Sequence, residues 1–188
     1  ILTARQEKLT KALKAADLDG IALNPSQSLT YLTGLHFHLS ERPVVGLFAP
    51  DVPPRLVLPE LEAAKITALD FPLHAFTYGE DPATWQDRYA EGFAADGLKT
   101  VGVEDEAMRL LEYRLLSAAL PGTKFVDASE VIASLRMYKD ETETAAMQTA
   151  AEIAESALKA AIQWFANQGE TRHKILGFTN NYHGDTMG

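Results

Sequence analysis

Residues 34–43 contain the densest group of side chains that could perform chemistry near a predicted strand. His36 and His38 alternate along the chain and, together with Glu41, could bind a metal ion, although no further ligand follows at a useful spacing. The same imidazoles could instead contact a substrate, with the planar guanidinium of Arg42 pairing with a carboxylate. A third interpretation is a surface loop with an exposed Glu41–Arg42 ion pair. The sequence alone leaves these three interpretations open.

Two other polar groups could carry chemistry. Glu104, Asp105 and Glu106 follow a predicted strand, and a run of carboxylates could hold a hard cation. Such a run is more typical of a solvated turn that favours the start of a helix, and we predict that turn. Near the end of the chain, Asp185 lies among small and polar residues. An extended strand there could present Asp185 to a metal ion, whereas spacing alone indicates a polar tail.

Composition excludes several functional classes. The chain has 188 residues, and its 17 basic and 26 acidic side chains give a formal charge of −9, which disfavours a nucleic-acid-binding surface. The absence of Cys excludes disulfides, thiolate metal sites and Cys nucleophiles. No apolar run reaches the roughly 20 residues of a membrane helix, and residues 1–11 lack the apolar core of a signal peptide. We therefore expect a cytoplasmic protein with neither nucleic acid nor membrane as a partner.

Strand and helix patterns alternate up to about residue 135. This alternation predicts an α/β fold with a mixed central sheet flanked by helices. Two of the predicted helices cover residues 82–96 and 106–120. In the first of them, Trp85, Tyr89 and Phe93 recur every four residues, which indicates a buried face.

The pattern changes after residue 135, where residues 140–167 predict one long helix with an apolar stripe. We place a domain boundary near residues 136–139. The predicted domains are therefore residues 1–136 and residues 137–188.

Three stretches of the sequence occur in the order and at the spacing typical of one enzyme family. They are Arg5, Leu9, Leu13, Asp19-Gly20, Asn24 and Tyr31-Leu32-Thr33-Gly34; then Val101-Gly102-Val103-Glu104, Tyr113 and Asp127; then Leu135-Arg136-Met137-Tyr138-Lys139, Glu141, Glu143, Ala150-Ala151-Glu152-Ile153-Ala154 and Gly169-Glu170-Thr171. Together they resemble the pita-bread metallopeptidase family, in the branch of Xaa-Pro dipeptidases (prolidases) and aminopeptidase P. On this resemblance, residues 1–136 form a creatinase-like N-terminal domain. Residues 137–188 form the incomplete start of the pita-bread domain.

The resemblance implies metal-dependent hydrolysis of Xaa-Pro dipeptides, or of the N-terminal Xaa-Pro bond of peptides. Such enzymes use two Asp, one His and two Glu to hold two divalent metal ions, commonly Mn²⁺, Co²⁺ or Zn²⁺. Asp185 is similar in position to the second metal-binding Asp. The N-terminal domain of the family serves in dimerisation and can extend a loop over the partner's active site. The resemblance therefore implies a homodimer in which His36, His38 and Arg42 contact a proline-containing peptide; the catalytic residues stay unassigned.

The sequence departs from the family pattern near its end. Counting back from Asp185 to the place of the first metal-binding Asp leads to Lys174, which cannot serve as that ligand. The intervening segment and the later His and Glu ligands are missing as well. We expect that the sequence joins pieces of a longer chain; the alternative is a fragment whose end merely resembles the motif. In both cases these residues alone are expected to be inactive and to hold no metal pair, because one carboxylate does not bind two metals.

Two alternative functions remain open at this point. Some pita-bread relatives have lost their metals and act as peptide-binding or dimerisation modules, which would suit a chain with only one metal-binding Asp. Another relative, creatinase, keeps the fold but acts on a small guanidino compound. A full set of metal ligands would distinguish an enzyme from the first alternative. The residues of the substrate pocket would distinguish a peptidase from the second.

Overall fold

The computed structural model describes residues 2–67, 69, 71–94, 97–170 and 172 of the chain. The chain divides into two compact units between Tyr138 and Lys139. Among the described residues, the first unit contains a β-sheet with its helices, and the second contains one long helix.

The described part of the first unit contains six strands that form one mixed sheet, in the order β4-β3-β2-β1-β5-β6. The strands are β1 (Gly20–Leu23), β2 (Val45–Phe48), β3 (Arg55–Pro59), β4 (His74–Tyr78), β5 (Thr100–Val103) and β6 (Lys124–Asp127). Strand β2 is antiparallel to both of its neighbours, whereas the β1–β5, β3–β4 and β5–β6 pairs are parallel. In the central register, Ile21 lies opposite Phe48 on one side and Gly102 on the other. All strands except β2 therefore run in the same direction.

The strands are connected by helices and short turns. The α-helices of the first unit are α1 (Leu2–Ala15), α2 (Gln27–Thr33), α3 (Trp85–Phe93), α4 (Leu110–Ala119) and α5 (Ser129–Met137), and 3₁₀ helices cover Glu60–Lys65 and Pro82–Thr84. Helix α2 shows why the chain folds this way locally. The Ser26 hydroxyl accepts a hydrogen bond from the amide of Leu29 at the N-cap. Gly34, with a φ of 73°, ends the helix in the left-handed conformation that glycine adopts without steric cost.

Two apolar clusters lie on the two faces of the sheet. Ile21 and Leu23 of β1 belong to one cluster, and Ala22 between them belongs to the other, because successive strand residues point to opposite faces. The first cluster includes residues of α1, α2 and α5, and the second includes residues of α3 and α4. The sheet therefore lies between two helical layers, which confirms the predicted α/β fold with a mixed central sheet.

Two predicted helices differ from the structure in their boundaries. The helix predicted from residue 106 begins only at Leu110, because the Glu104 carbonyl accepts hydrogen bonds from the amides of Ala107 and Met108 and closes a turn. The helix predicted over residues 82–96 consists of a 3₁₀ turn followed by α3. The aromatic stripe of α3 is buried as predicted, from Trp85 to Phe93.

The second unit contains α6 (Glu141–Asn167), the long helix predicted from the sequence. Asp140 and Glu143 form a capping box: the Asp140 carboxylate accepts from the Glu143 amide at 2.8 Å, and the Glu143 side chain accepts from the Asp140 amide at 3.1 Å. Several large apolar side chains of this helix are exposed, among them Met147 and Trp164. Within the described ranges, no helix has both the length and the apolar character needed to cross a membrane.

A close approach at Gly102 gives a test of the packing between sheet and helices. A Cβ atom on Gly102 would lie 2.5 Å from Cβ of Ala128 and 3.2 Å from Cδ1 of Leu18. We expect Gly102→Ala to lower the free energy of unfolding by about 1–3 kcal/mol, because a packed core must shift to admit the methyl group. Gly79→Ala is the matched control, since no atom lies within 4 Å of its added Cβ. Urea unfolding measures both variants, and equal stabilities would contradict this packing.

Candidate functional site

The ends of five strands and the start of one meet at a single edge of the sheet. Because all strands except β2 run in one direction, the last residues of β1, β3, β4, β5 and β6 lie at the same edge as Val45, the first residue of β2. We refer to this edge as the carboxyl edge. The 36–43 segment leads into β2 here, and the loops after β1 and β5 leave from here. Functional groups of open α/β sheets gather at such an edge.

Hydrogen bonds from three other elements hold the backbone of the 36–43 segment. Lys65 Nζ donates to the His36 carbonyl at 2.8 Å, Arg109 Nη1 donates to the Ser40 carbonyl at 2.6 Å, and the Tyr78 hydroxyl donates to the Pro43 carbonyl at 2.7 Å. Burial raises the pKa of the Tyr78 phenol, so this group stays a neutral donor at physiological pH. The backbone of the segment is thereby held near its start, in its middle and at its end.

The three predicted substrate-binding residues lie on this segment but in different environments. His36 and His38 are exposed, whereas Arg42 is half-buried. Arg42 donates to both carboxylate oxygens of Glu80, with Nη2 at 2.6 Å from Oε2, and its Nη1 donates to Glu41 at 2.5 Å. The Glu80 carboxylate raises the pKa of the Arg42 guanidinium above its usual value. The Glu41–Arg42 pair of the surface-loop interpretation is therefore present, and substrate contact by these residues stays a prediction.

Arg109 and Glu112 form a charged pair inside the carboxyl edge. The Glu112 side chain is fully buried, and it accepts from Arg109 Nε at 2.8 Å and 3.0 Å and from Nη2. Arg109 is the N-cap residue of α4, so Glu112 lies in the first turn, where a carboxylate is also favoured by the helix dipole. No motif or spacing in the sequence pointed to either residue.

Glu104 differs from the solvated carboxylate that the sequence predicted. The turn after β5 is present, but the Glu104 side chain is half-buried and accepts hydrogen bonds from the hydroxyls of Ser26 and Ser28. Ser28 is 1% exposed and also lies 3.4 Å from Nη1 of Arg136. The acidic run is therefore divided in the fold, because Asp105 and Glu106 are exposed while Glu104 is part of a polar network with α2.

Within the described residues, no group of three or more His, Asp or Glu side chains is arranged to hold a metal ion. The metal alternative for His36, His38 and Glu41 thus has no support from the geometry. Asp185, the predicted metal ligand, lies outside the described residues. The part of the first unit that the structure describes therefore offers polar binding groups and backbone anchors, and the metal prediction stays untested.

The polar groups whose buried partners the sequence did not predict share one signal. Ser26 follows β1, Glu80 follows β4, and Glu104 and Arg109 follow β5, so each lies just beyond the carboxyl end of a strand. Once most strands are known to be parallel, such positions must meet at one edge. Strand direction, however, depends on pairing across the sheet, which the local sequence does not reveal.

The fold and this edge define the chain as an α/β domain with helices on both sheet faces and polar loops at the carboxyl ends of its strands. The sequence matches the family described as the creatinase/prolidase N-terminal domain over residues 5–138, and the chain belongs to that family. The family predicted from the three motif stretches is thereby confirmed.

The relatives and solved structures agree with this assignment. An Xaa-Pro dipeptidase of Lactobacillus delbrueckii subsp. lactis is 29% identical over 176 residues, which cover 90% of this chain and 46% of the relative. Dipeptidase PepE from Mycobacterium ulcerans is 26% identical with a TM-score of 0.68, covering 88% of this chain and 44% of that one. The creatinase/prolidase N-terminal domain of a Streptococcus pyogenes X-Pro dipeptidase shares the fold, with 20% identity, a TM-score of 0.61 and coverage of 70% and 98%. The chain spans about half the length of the curated relatives it matches.

The network around Glu104 generates a prediction about stability. Glu104→Gln removes the charge that accepts from Ser26 and from the buried Ser28, and hydrogen bonds to a charged acceptor contribute about 1.5–3 kcal/mol each. We expect a loss of about 1.5–3 kcal/mol in unfolding free energy. Glu106→Gln, two positions away and exposed, is the matched control and is expected to change it by less than about 0.5 kcal/mol. Thermal and urea unfolding of both variants test the difference. A free energy of unfolding that is unchanged in Glu104→Gln would exclude a structural role for this network.

Proposed function

We propose that the protein to which this chain contributes is an Xaa-Pro dipeptidase, which hydrolyses the bond between a residue and a following proline. The observation that carries the proposal is the family match over residues 5–138. Alignment with an Xaa-Pro dipeptidase extends over 90% of the chain, so it continues past this domain into the second unit. The activity is proposed for the whole protein, because the chain covers less than half of that relative.

In this proposal the first unit is a substrate-binding domain of a homodimer, and its 36–43 segment contacts the substrate in the partner's active site. The exposed imidazoles of His36 and His38 support this role, since they belong to a backbone that three other elements hold in place. A fixed backbone lowers the entropy cost of ordering side chains around a ligand. An imidazole can donate to a carbonyl or carboxylate oxygen of a small peptide.

Arg42 can serve in the same role despite its ion pairs. A guanidinium has five N–H donors, and the contacts with Glu80 and Glu41 use one N–H on each of its three nitrogens. The remaining donors can pair with the C-terminal carboxylate of a dipeptide. Glu80 and Glu41 then orient the guanidinium, and their two negative charges disfavour a substrate with more than one carboxylate.

The proposal includes two divalent metal ions, of the Mn²⁺, Co²⁺ or Zn²⁺ type, with Asp185 as one ligand. When bound, such a pair would lower the pKa of a water ligand and supply positive charge for hydrolysis. The described residues do not fit a metal site, so residues 2–138 receive only binding and positioning roles here. The resemblance of residues 182–186 to the metal-binding strand of the family supports the role of Asp185.

Peptide hydrolysis by the purified whole protein tests the proposed function. We expect cleavage of Ala-Pro and Leu-Pro at a rate at least about 100-fold above that of Ala-Ala, because recognition of the substrate is tied to proline. EDTA should abolish the activity and Mn²⁺ should restore it. Binding of Xaa-Pro peptides without cleavage would instead favour a non-catalytic peptide-binding relative. Equal cleavage of all three peptides would contradict the assigned specificity.

A variant of His38 tests whether the 36–43 segment contacts the substrate. We expect His38→Ala to raise the KM for Ala-Pro about tenfold, the loss of one hydrogen bond to a charged group. His74→Ala is the matched control, because His74 is also exposed but lies at the start of β4, on the opposite edge of the sheet. Steady-state kinetics of both variants decide whether His38 contacts the substrate. The same KM for both variants would show that it does not.

A further inference from the structure

One contact joins the middle of the 36–43 segment to a distant part of the chain. Arg109 Nη1 donates to the carbonyl of Ser40 at 2.6 Å, across 69 residues of sequence. Ser40 lies between His38 and Arg42, which are two of the proposed substrate-binding residues. Two further bonds from outside reach the backbone of the segment, from Lys65 at its start and from Tyr78 at its end, while Glu80 binds only the side chain of Arg42. Among the described contacts, Arg109 is therefore the external donor that holds the middle.

The direction of this donor is set by a buried carboxylate. Glu112 is 0% exposed and binds Nε and Nη2 of Arg109, which form one side of the planar guanidinium. Since the guanidinium is rigid, fixing that side also fixes where Nη1 points. Removing Arg109 would leave a charged group buried without its partner, so the pair is strongly held in the folded protein. Glu112 thus fixes Arg109, and Arg109 fixes Ser40.

We propose that Arg109 is a positioning residue for the dipeptidase reaction: held by Glu112, it fixes the Ser40 carbonyl and thereby places His38 and Arg42 at the substrate. This inference rests on the proposed function and adds two residues to it. It assigns no chemistry to Arg109 itself, because the contact is with backbone and not with the reacting atoms. A lysine cannot replace Arg109 in this role, since an ammonium lacks the planar set of donors that binds a carboxylate on one side and a carbonyl on the other.

Amide hydrogen exchange of the whole protein tests the contact itself. In Arg109→Lys, which keeps the charge next to Glu112, we expect amides of the 36–43 segment to exchange about tenfold faster, with unchanged exchange in the strands. Arg88→Lys is the matched control, because Arg88 pairs with Glu91 at the same i,i+3 spacing on the exposed side of α3. Glu112→Gln is a second variant that keeps Arg109 but weakens its anchor, and it should also speed exchange in this segment.

Kinetics separate positioning from general stability. We expect Arg109→Lys to raise the KM for Ala-Pro about tenfold while kcat changes less than about twofold, because binding groups are displaced and the reacting groups are not. In a His38→Ala background, Arg109→Lys should raise the KM by less than about tenfold, because the contribution of His38 is already lost and only the placement of Arg42 is still affected. Arg88→Lys should leave both constants unchanged in either background.

The outcomes distinguish this inference from the proposed function. Wild-type exchange rates in both Arg109→Lys and Glu112→Gln would overturn the positioning role, whatever the activity. Faster exchange with an unchanged KM would also overturn it, because the segment would then be loosened without consequence for the substrate. A wild-type protein that cleaves no Xaa-Pro peptide would overturn the proposed function and its use of Arg109. In that case the exchange data would still establish whether Arg109 holds the segment.

Discussion

Strand β1 pairs with β2 on one side and with β5 on the other, and this double pairing determines the rest of the first unit. Asp19, the residue before β1, fixes the parallel register: its carboxylate accepts from the amides of Lys99 and Thr100 at 2.7 Å and 2.8 Å, and its own amide donates to the Thr100 carbonyl. The hydrogen bonds from the Thr100 and Lys99 amides hold the pKa of Asp19 below its usual value, because they stabilise the ionised carboxylate. With β1 and β5 parallel, the polar loops that follow them must leave from the same edge.

Desolvation explains how the polar groups at that edge are arranged. Glu112 and Ser28, which have no route to solvent, each lie against a charged partner, because an unpaired buried polar group is costly. The side chains proposed to meet a ligand, His36 and His38, are exposed instead. The segment that carries them is anchored through its carbonyl oxygens. Anchoring by backbone leaves the side chains available, and this is the physical basis for assigning a binding role to a domain without a metal site among its described residues.

Local patterns predicted much of the fold, and long-range pairing accounts for what they missed. The alternation of strand and helix patterns predicted a mixed sheet flanked by helices, and the spacing of Trp85, Tyr89 and Phe93 predicted a buried helical face. The predicted start of α4, at residue 106, was wrong by four residues. Helix propensity alone favours the earlier start, but the turn closed by the Glu104 carbonyl occupies those residues. The partners of Arg42 were missed in part: Glu41 is adjacent in sequence, but Glu80 is 38 positions away. Contacts between distant loops require the strand order, which no local pattern contains.

The pair of Arg109 and the buried Glu112 has a geometric role that apolar residues at these positions could not take over. Such a pair contributes little net stability, because its attraction is offset by the cost of removing the Glu112 carboxylate, and part of the Arg109 guanidinium, from water. What it adds is direction, since a guanidinium held on one side presents its remaining donors at a fixed angle. An apolar pair at these positions could fill the same volume but could not hold the Ser40 carbonyl 2.6 Å away. The position of the 36–43 segment therefore depends on a charged group whose main contribution is geometric.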